Sequence, residues 1–472
     1  VKRSNISGVS VRHRCEGQQL GFGAVAIAAL LAAGAATAQV QVQMDPVLER
    51  QADEAYRQIL QQPNDLALWS KYARIQVEGG NYEGGIGALE RLMLQPNYPP
   101  ELPLEIAVLY YRLGSYAQAA ALANQALADS RLPAAQRAFA ETIARDATRR
   151  TQATQLRGHA MAGLRSQSNP AYRTGESQVL GNGVVVPVLP AQKPASDWDL
   201  NLGLRLQHTY DLELQNSGAI TSNFSIYLVD YHASSGSTLV AAPSRAQDVT
   251  AVDLNTGFEF KPMAATTPQL TLRPHISLAH ISVQRHGYMD GKGLGLDITW
   301  RQDERTVLDV TADVQHRAFE TRADFLNAPE VSGRLASVRA RLVRELRPGH
   351  VLTGELAFRG NSTQRAMHDF DQQEGRVTYA VSYASPLSPA APGWTTSVSL
   401  AALHRDYDAP DPSVNANAAR TDDEWRLSLN HAVPLADQWL ALFSVEHARN
   451  RSNLPNFRYR NTSVSASLMR TF

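Results

Sequence analysis

The strongest constraint on the fold is an alternation of polar and apolar residues that continues from about residue 157 to the end of the chain. In the segment RTVLDVTADVQHRAF the apolar positions are Leu308, Val310, Ala312 and Val314. The positions between them are Asp309, Thr311, Asp313, Gln315 and Arg317. A period of two residues is that of a β-strand, whose successive side chains point to opposite faces. Because such segments follow one another without a helical period, this region is predicted to be all β.

The length and spacing of the segments favour a membrane barrel over a water-soluble sandwich. Each is about 9 to 15 residues long, as a tilted strand that crosses a membrane needs to be. We predict an antiparallel transmembrane β-barrel of about 14 strands over residues 156–472. The predicted strands begin near residues 157, 197, 222, 249, 269, 291, 305, 331, 350, 373, 393, 422, 437 and 459. Connections after odd-numbered strands are mostly long and those after even-numbered strands mostly short, as expected for extracellular loops and periplasmic turns.

In such a barrel, the polar side of each strand faces the lumen and the apolar side faces lipid. The charged residues that we predict to line the lumen are Asp309, Asp313, Arg317, Arg339, Arg341, Glu355 and Arg359. They mix both signs, so carboxylates and guanidinium groups are expected to balance each other. Tryptophans near the strand ends are candidates for the interfacial girdle, namely Trp198, Trp300, Trp394, Trp425 and Trp439. The long first loop, residues 168–196, is predicted to fold into the lumen as a plug.

The last strand, NTSVSASLMRTF, ends on an aromatic residue. Leu468 and Phe472 lie on its apolar side, and we expect them to form the assembly signal of the barrel. Arg470 departs from such a signal, which usually has an aromatic or apolar residue at that position. We expect its long side chain to reach the membrane interface.

Residues 39–155 have a helical period and an internal repeat. Gly80 and Gly114 are 34 residues apart, as are Tyr82 and Tyr116, and Trp69 precedes the first pair. This spacing predicts a short α-solenoid of tetratricopeptide repeats, in which these five residues pack the helices together. An ordinary bundle of helical hairpins is the alternative. Repeat stacks of this kind usually offer a groove to a peptide or protein partner.

Residues 1–38 have the layout of a secretory signal peptide, with basic residues, an apolar core and the small residues ATA. A membrane anchor is the alternative, although the apolar run is shorter than the ~20 residues of a spanning helix. Cys15, the single cysteine, would leave with the signal peptide. The mature chain is therefore expected to have no disulfide.

Motifs of catalysis or of metal and cofactor binding are absent from the sequence. The formal net charge is zero, which gives no electrostatic reason to expect a nucleic-acid partner. The segment GKGLGL resembles a phosphate loop but lacks the Lys-Ser/Thr ending, so we interpret it as a turn. We predict no catalytic, metal-binding or cofactor-binding residues.

Three stretches carry a family resemblance. They are GNYEGGIGALERLMLQPNYPP with YYRLGSYAQAA, then GHAMAGLRSQSNPAYR, and finally EHARNRSNLPNFRYRNTSVSASLMRTF. With the order of signal peptide, repeats and barrel, they resemble the surface lipoprotein assembly modulator (Slam) family of type XI secretion translocons. The resemblance implies a barrel in the outer membrane of a Gram-negative bacterium that exports or displays lipoproteins or secreted proteins, with periplasmic repeats that receive the client. It implies as partners the client, outer-membrane lipid, the barrel-assembly machinery and a periplasmic chaperone.

Two other functions stay open from the sequence. One is an exopolysaccharide export porin with tetratricopeptide repeats, although its lumen would be expected to be acidic and rich in aromatic residues. The other is a barrel-embedded hydrolase or a structural barrel, since Ser, His and Asp residues distant in the sequence can converge in a fold.

Overall fold

The computed structural model of the protein describes residues 46–214, 217–233, 245–322, 325–387, 393–436 and 438–472. The predicted signal peptide, residues 1–38, lies outside these residues. The described chain forms two compact units, one that ends at Gln155 and one that extends over Leu156–Phe472.

The first unit consists of α-helices, six of them in the described residues, and each packs against the next in sequence. Their bounds are Pro46–Gln61 (α1), Leu66–Glu78 (α2), Tyr82–Met93 (α3), Leu102–Arg112 (α4), Tyr116–Ala128 (α5) and Ala134–Arg150 (α6). None of the described helices is long and apolar enough to cross a membrane. The predicted helical unit is confirmed, whereas its assignment to the tetratricopeptide class stays a prediction.

The two glycines of the repeat end helices in the same way. Gly80 follows α2 and Gly114 follows α4, with φ angles of 77° and 76°. In each case the next N–H turns back to the preceding helix, from Asn81 to the carbonyl of Gln76 (2.8 Å) and from Ser115 to that of Tyr110 (2.9 Å). Only glycine adopts this left-handed conformation without a steric cost. The chain therefore reverses direction by the same turn twice, 34 residues apart.

The aromatic residues of the repeat contact the neighbouring helices. Trp69 donates its indole N–H to the carbonyl of Pro63 over 3.0 Å. The guanidinium group of Arg112 lies 5.5 Å from the ring centre of Tyr82, and that of Arg150 lies 5.0 Å from that of Tyr116. Arginine thus covers the tyrosine ring at both repeat positions.

The second unit is a closed antiparallel barrel of fourteen strands, as predicted. Strands β2 and β3 form a separate hairpin. The bounds are Thr154–Gln167 (β1), Gln178–Gly181 (β2), Val184–Pro187 (β3), Asp197–Asp211 (β4), Ala219–Tyr231 (β5), Val249–Glu259 (β6), Leu270–Val283 (β7), His286–Arg301 (β8), Thr306–Phe319 (β9), Gly333–Arg347 (β10), His350–Thr363 (β11), Phe370–Tyr383 (β12), Trp394–Tyr407 (β13), Thr421–Ala436 (β14), Trp439–Ser452 (β15) and Tyr459–Thr471 (β16).

One local interpretation of the sequence is wrong. GKGLGL is not a turn but lies inside β8, which begins at His286 and not near residue 291. The glycines are explained by crowding across the sheet. A Cβ atom at Gly295 would come 2.2 Å from Asp313 Oδ1 and 2.5 Å from His275 Nε2. The missing side chain therefore makes room for a contact between residues of the two neighbouring strands.

The outer face of the barrel is apolar along its middle. Exposed aliphatic and aromatic side chains alternate with inward polar ones, among them Leu164, Val314, Val338, Leu356, Phe358, Leu400, Phe443, Val464 and Leu468. We call the end that carries loops 168–196, 408–420 and 453–458 the loop end, and the opposite end, with turns 302–305 and 347–349, the turn end. Trp198 and Trp425 lie near the loop end, and Trp300, Trp394 and Trp439 lie near the turn end. Two belts of tryptophan at the strand ends are typical of the two membrane interfaces.

Candidate functional site: the lumen of the barrel

The lumen contains a cavity of about 620 Å³. Its lining comes from strands β4–β10 on one side and from β14–β16 with β1 on the other, so it lies between opposite walls of the barrel. The two walls differ in chemistry.

The charged wall is formed by the inward residues of β7–β12. Asp309 accepts from Arg341 Nη2 (2.7 Å) and from the hydroxyl of Thr299 (2.9 Å). Glu374 accepts from Arg359 Nη1 and from Arg376 Nη2, both over 3.1 Å. Each carboxylate thus has a guanidinium partner, which offsets the cost of removing both charges from water.

A histidine between two carboxylates forms the centre of this wall. His275 Nε2 lies 2.8 Å from Asp313 Oδ1, and its Nδ1 lies 3.1 Å from Asp297 Oδ2. Asp297 also accepts from Arg273 Nη1 (2.6 Å) and from the hydroxyl of Thr311 (2.7 Å). Strands β7, β8 and β9 are therefore cross-linked through side chains on the lumen side. Sequence analysis missed this network, and the glycines of GKGLGL were the one local sign of it.

The seven predicted lumen residues alternate along β9, β10 and β11 with the exposed apolar side chains of those strands. Asp309 and Arg341 form an ion pair, and Asp313 contacts His275 and not a predicted arginine partner. The remaining contacts are local or cross-strand. Arg317 Nε donates to Gln315 (2.8 Å), and Arg339 lines the cavity. Glu355 lies in register between Arg341 and Arg376. Arg359 binds Glu374.

The opposite wall consists of small and mostly uncharged side chains. This small-residue wall is formed by the inward positions of β14, β15, β16 and β1, at Ser428, Asn430, Ser444, Ser463, Ser465, Ser467 and Gly163. Ser444 donates to Asn430 over 2.8 Å. The same strands also carry inward charges: Arg426 binds Glu424, Glu446 lies in register with Ser463, and Arg165, in register with Ser465, binds Asp199. Ser428 donates to the carboxylate of Glu446 over 3.0 Å, whereas a hydroxyl group that bonds to an uncharged partner, as Ser444 does, forms a weaker neutral hydrogen bond.

The first loop reaches into the loop end of the lumen. Tyr172 has a left-handed backbone, with φ 49°, and its ring centre lies 5.0 Å from that of the inward residue Tyr459. Burial raises the pKa of the Tyr172 hydroxyl. The side chain of Asn169 holds the loop from inside, because it donates to the carbonyls of Arg173 (2.8 Å) and Arg460 (3.0 Å).

The rest of this loop lies against two other loops. Asn456, almost fully buried, accepts from the N–H of Leu180 (3.0 Å) and donates to its carbonyl (2.8 Å). Its amide thus pairs with the hairpin in the way that a neighbouring strand would. The N–H groups of Asn182 and Gly183 donate to the carbonyls of Ser413 (2.9 Å) and Val414 (2.8 Å). Loop 168–196 therefore forms a cap across part of the mouth, and only Tyr172 and its neighbours turn inward.

The predicted assembly signal lies where the barrel closes. Leu468 is exposed on the lipid face, in register with Ala162 of β1. Phe472 follows the last strand and is also exposed. The Arg470 guanidinium lies 5.5 Å from the ring centre of Trp439, to which it is also the cross-strand partner. This contact places the charge at the tryptophan belt of the turn end.

The comparisons with known proteins concern mainly this barrel. The sequence model of the family described as surface lipoprotein assembly modifier matches residues 230–472. No curated protein matches the sequence.

Solved structures similar to the chain are outer-membrane proteins. A bacterial polysaccharide outer membrane secretin is 9% identical, with a TM-score of 0.34 over 66% of this chain and 98% of its own. A mutant of the TodX monoaromatic hydrocarbon channel is 9% identical, with a TM-score of 0.36 over 67% and 90%. An anion-selective porin from Comamonas acidovorans is 8% identical, with a TM-score of 0.33 over 68% and 99%. Likenesses this distant carry no argument about function.

Proposed function

The chain belongs to the family of surface lipoprotein assembly modifiers, and we propose that its barrel carries a lipoprotein or secreted protein across the outer membrane while the helical unit receives this client in the periplasm. The observation that carries the proposal is the extent of the family match, which covers β6–β16 and with them the charged wall and three of the four strands of the small-residue wall. Family and fold together indicate an outer-membrane barrel of transport or surface assembly.

The chemistry of the lumen supports transit of a polypeptide. Passage through a channel requires contacts that are favourable enough for entry and weak enough for release. The small-residue wall offers a moving backbone single hydroxyl partners such as Ser465, and Asp309 and Glu374 of the charged wall are already bound by arginines. A client is therefore met by many weak hydroxyl sites and by carboxylates, those of Asp309 and Glu374, that already have guanidinium partners.

The mouth cap supports a gated route. Loop 168–196 is held by Asn169, by Asn456 and by the backbone of residues 413 and 414. These are neutral hydrogen bonds of about 1 kcal/mol each. Such a cap narrows the mouth of the lumen at rest and is displaced by a client without unfolding of the barrel. We further propose that the barrel-assembly machinery inserts the protein and that a periplasmic chaperone delivers the client.

The experiment is deletion of the gene followed by complementation with the wild-type chain. Surface-exposed lipoprotein is measured by protease shaving of intact cells, and the total amount in lysates serves as the control. We expect surface exposure to fall at least tenfold on deletion and to return on complementation. Unchanged exposure of every cell-surface lipoprotein and unchanged secreted protein would overturn the proposal.

A disulfide lock tests the cap in the same strain. The double variant Asn182→Cys and Ser413→Cys places two cysteines where the backbones of the two loops are hydrogen-bonded at 2.9 Å. Residues 46–472 contain no other cysteine. We expect the oxidised variant to block export and a reducing agent to restore it. The single-cysteine variants serve as controls, and normal export by the oxidised double variant would show that the cap does not move.

A further inference from the structure

Three arginines form an unpaired basic cluster on the outer face of the barrel, near the loop end. Arg449, Arg451 and Arg460 are exposed, and Arg449 and Arg460 are direct cross-strand neighbours. Like charges directly opposite each other destabilise a sheet. Within the part of the chain that the structure describes, no carboxylate forms an ion pair with them. The cross-strand neighbour of Arg451 is Asp423, whose carboxylate is 2.7 Å from His404 Nδ1.

An apolar groove lies on the same face, further towards the middle of the barrel. It has a volume of about 430 Å³ and is lined mainly by Leu164, Leu429, Phe443, Val445, Val464 and Ala466. Val445 and Val464 are cross-strand partners, as are Arg449 and Arg460. Four residues along a strand span about 13 Å, so the groove begins about that far from the arginines.

The surface between the arginines and the groove is amphipathic. His447 Nδ1 lies 2.8 Å from the hydroxyl of Thr462, and the ring centre of Trp425 lies 5.3 Å from that of His447. The order along the strands is therefore basic cluster, aromatic and polar belt, and apolar groove. The same order of charge, interface and hydrocarbon is found in a membrane lipid with an anionic head group.

We propose that this surface binds one phosphorylated glycolipid of the outer leaflet, with its phosphates on the three arginines and its acyl chains in the groove. The loop end faces the cell exterior in an outer-membrane barrel, so the occupant comes from the outer leaflet. Guanidinium groups form strong, often bidentate hydrogen bonds with phosphate. Three adjacent guanidinium groups match a head group that carries two phosphates better than one that carries a single phosphodiester. The inference does not depend on the proposed translocation.

The test measures binding of lipid A with two phosphates to the purified full chain in detergent, by native mass spectrometry. We expect the double variant Arg449→Gln and Arg460→Gln to bind at least about tenfold more weakly, since each replacement removes a charge-assisted contact. The matched control is Arg470→Gln, which removes an outward arginine of the same strand at the opposite end. Equal binding by the double variant and the wild type would overturn the proposal, as would an equal loss with Arg470→Gln.

Two further arms separate this occupant from others. Ala466→Trp fills the groove and leaves the arginines intact, and we expect it to lower lipid A binding while the heat-modifiable gel shift shows a folded barrel. Phosphatidylglycerol of the same chain length is the second probe. We expect it to bind at least about tenfold more weakly than lipid A, because it offers one phosphate. Equal affinity for the two lipids would overturn the assignment to a glycolipid.

Discussion

Phe472 and Gly158 close the barrel by exchanging two backbone hydrogen bonds. The N–H of Gly158 donates to the carbonyl of Phe472 over 2.9 Å, and the N–H of Phe472 donates back over 3.0 Å. A Cβ atom at position 158 would lie 2.5 Å from the carbonyl oxygen of Arg205 and 2.9 Å from Phe472 Cε2. The glycine therefore allows β1 to lie between β4 and the terminal aromatic ring.

This crowding predicts that Gly158→Ala impairs closure of the barrel. The new methyl group meets backbone on one side and a packed ring on the other, so β1 has to move away from one neighbour. We expect the folded fraction, measured by the heat-modifiable gel shift after refolding in detergent, to fall several-fold. Gly203→Ala in β4 is the matched control, because its Cβ would make only ordinary contacts at 3.7 Å. Equal loss in both variants would show that the position has no special role.

A second prediction concerns the helical unit at low pH. Burial raises the pKa of Asp146, but hydrogen bonds from Tyr111, Arg150 and Arg149 outweigh it and lower this pKa from 3.8 to about 2. A lowered folded-state pKa stabilises the fold above the unfolded-state value, and the contribution is lost as the pH falls from about 3.8 through about 2. The shift corresponds to about 2 kcal/mol at neutral pH.

Asp146→Asn should therefore lower the thermal midpoint of the helical signal at 222 nm at pH 7 and leave it nearly unchanged at pH 2. The measurement is made on the full chain in detergent. Asp129→Asn is the control, because its partner Arg131 is more than half exposed and such pairs contribute little. The same difference between wild type and Asp146→Asn at both pH values would contradict the assignment.

The double ion pair of Glu374 predicts a large effect inside the lumen. This carboxylate is 9% exposed and binds both Arg359 and Arg376. Glu374→Gln leaves two guanidinium groups without their carboxylate, at a cost of about 3 kcal/mol. The free energy of unfolding is measured by urea titration in lipid vesicles. Asp290→Asn, which removes an exposed partner of His280, should cost less than about 1 kcal/mol.

The cap predicts a change in permeability. Asn456→Ala removes both hydrogen bonds to Leu180 and leaves the buried edge of the β2–β3 hairpin unpaired. We expect faster proteolysis within residues 168–196 and a several-fold rise in uptake of a small hydrophilic antibiotic. Asn417→Ala, at an exposed position of loop 408–420, should change neither. If neither quantity changes with Asn456→Ala, the cap is held by other contacts.

Sequence patterns predicted the strands well because the period of two is a local property of each strand. They predicted the ion pair of Asp309 and Arg341 only as a general balance of charge. The partners of His275 could not be predicted, since they come from two other strands and depend on the register between all three. The contact between Leu180 and Asn456 joins residues 276 positions apart, and a local sequence pattern cannot predict a contact between residues so far apart in the chain. The segment GKGLGL was wrongly interpreted as a turn for the same reason. Its glycines are required by side chains of the neighbouring strands, which are distant in the sequence.

The difference between the two walls has a directional consequence for anything extended along the bore. A polypeptide at mid-depth meets many charges on the side of β7–β12 and, apart from Glu446, mainly hydroxyl groups on the side of β14–β16. Its ionised side chains gain energy when they face Arg339 and the carboxylates nearby, and its small or apolar side chains lose least when they face Ser465. The lumen therefore favours one rotation of an extended polypeptide about its own long axis. A strand whose side chains alternate between charged and small has one preferred orientation, with its charged side towards β7–β12.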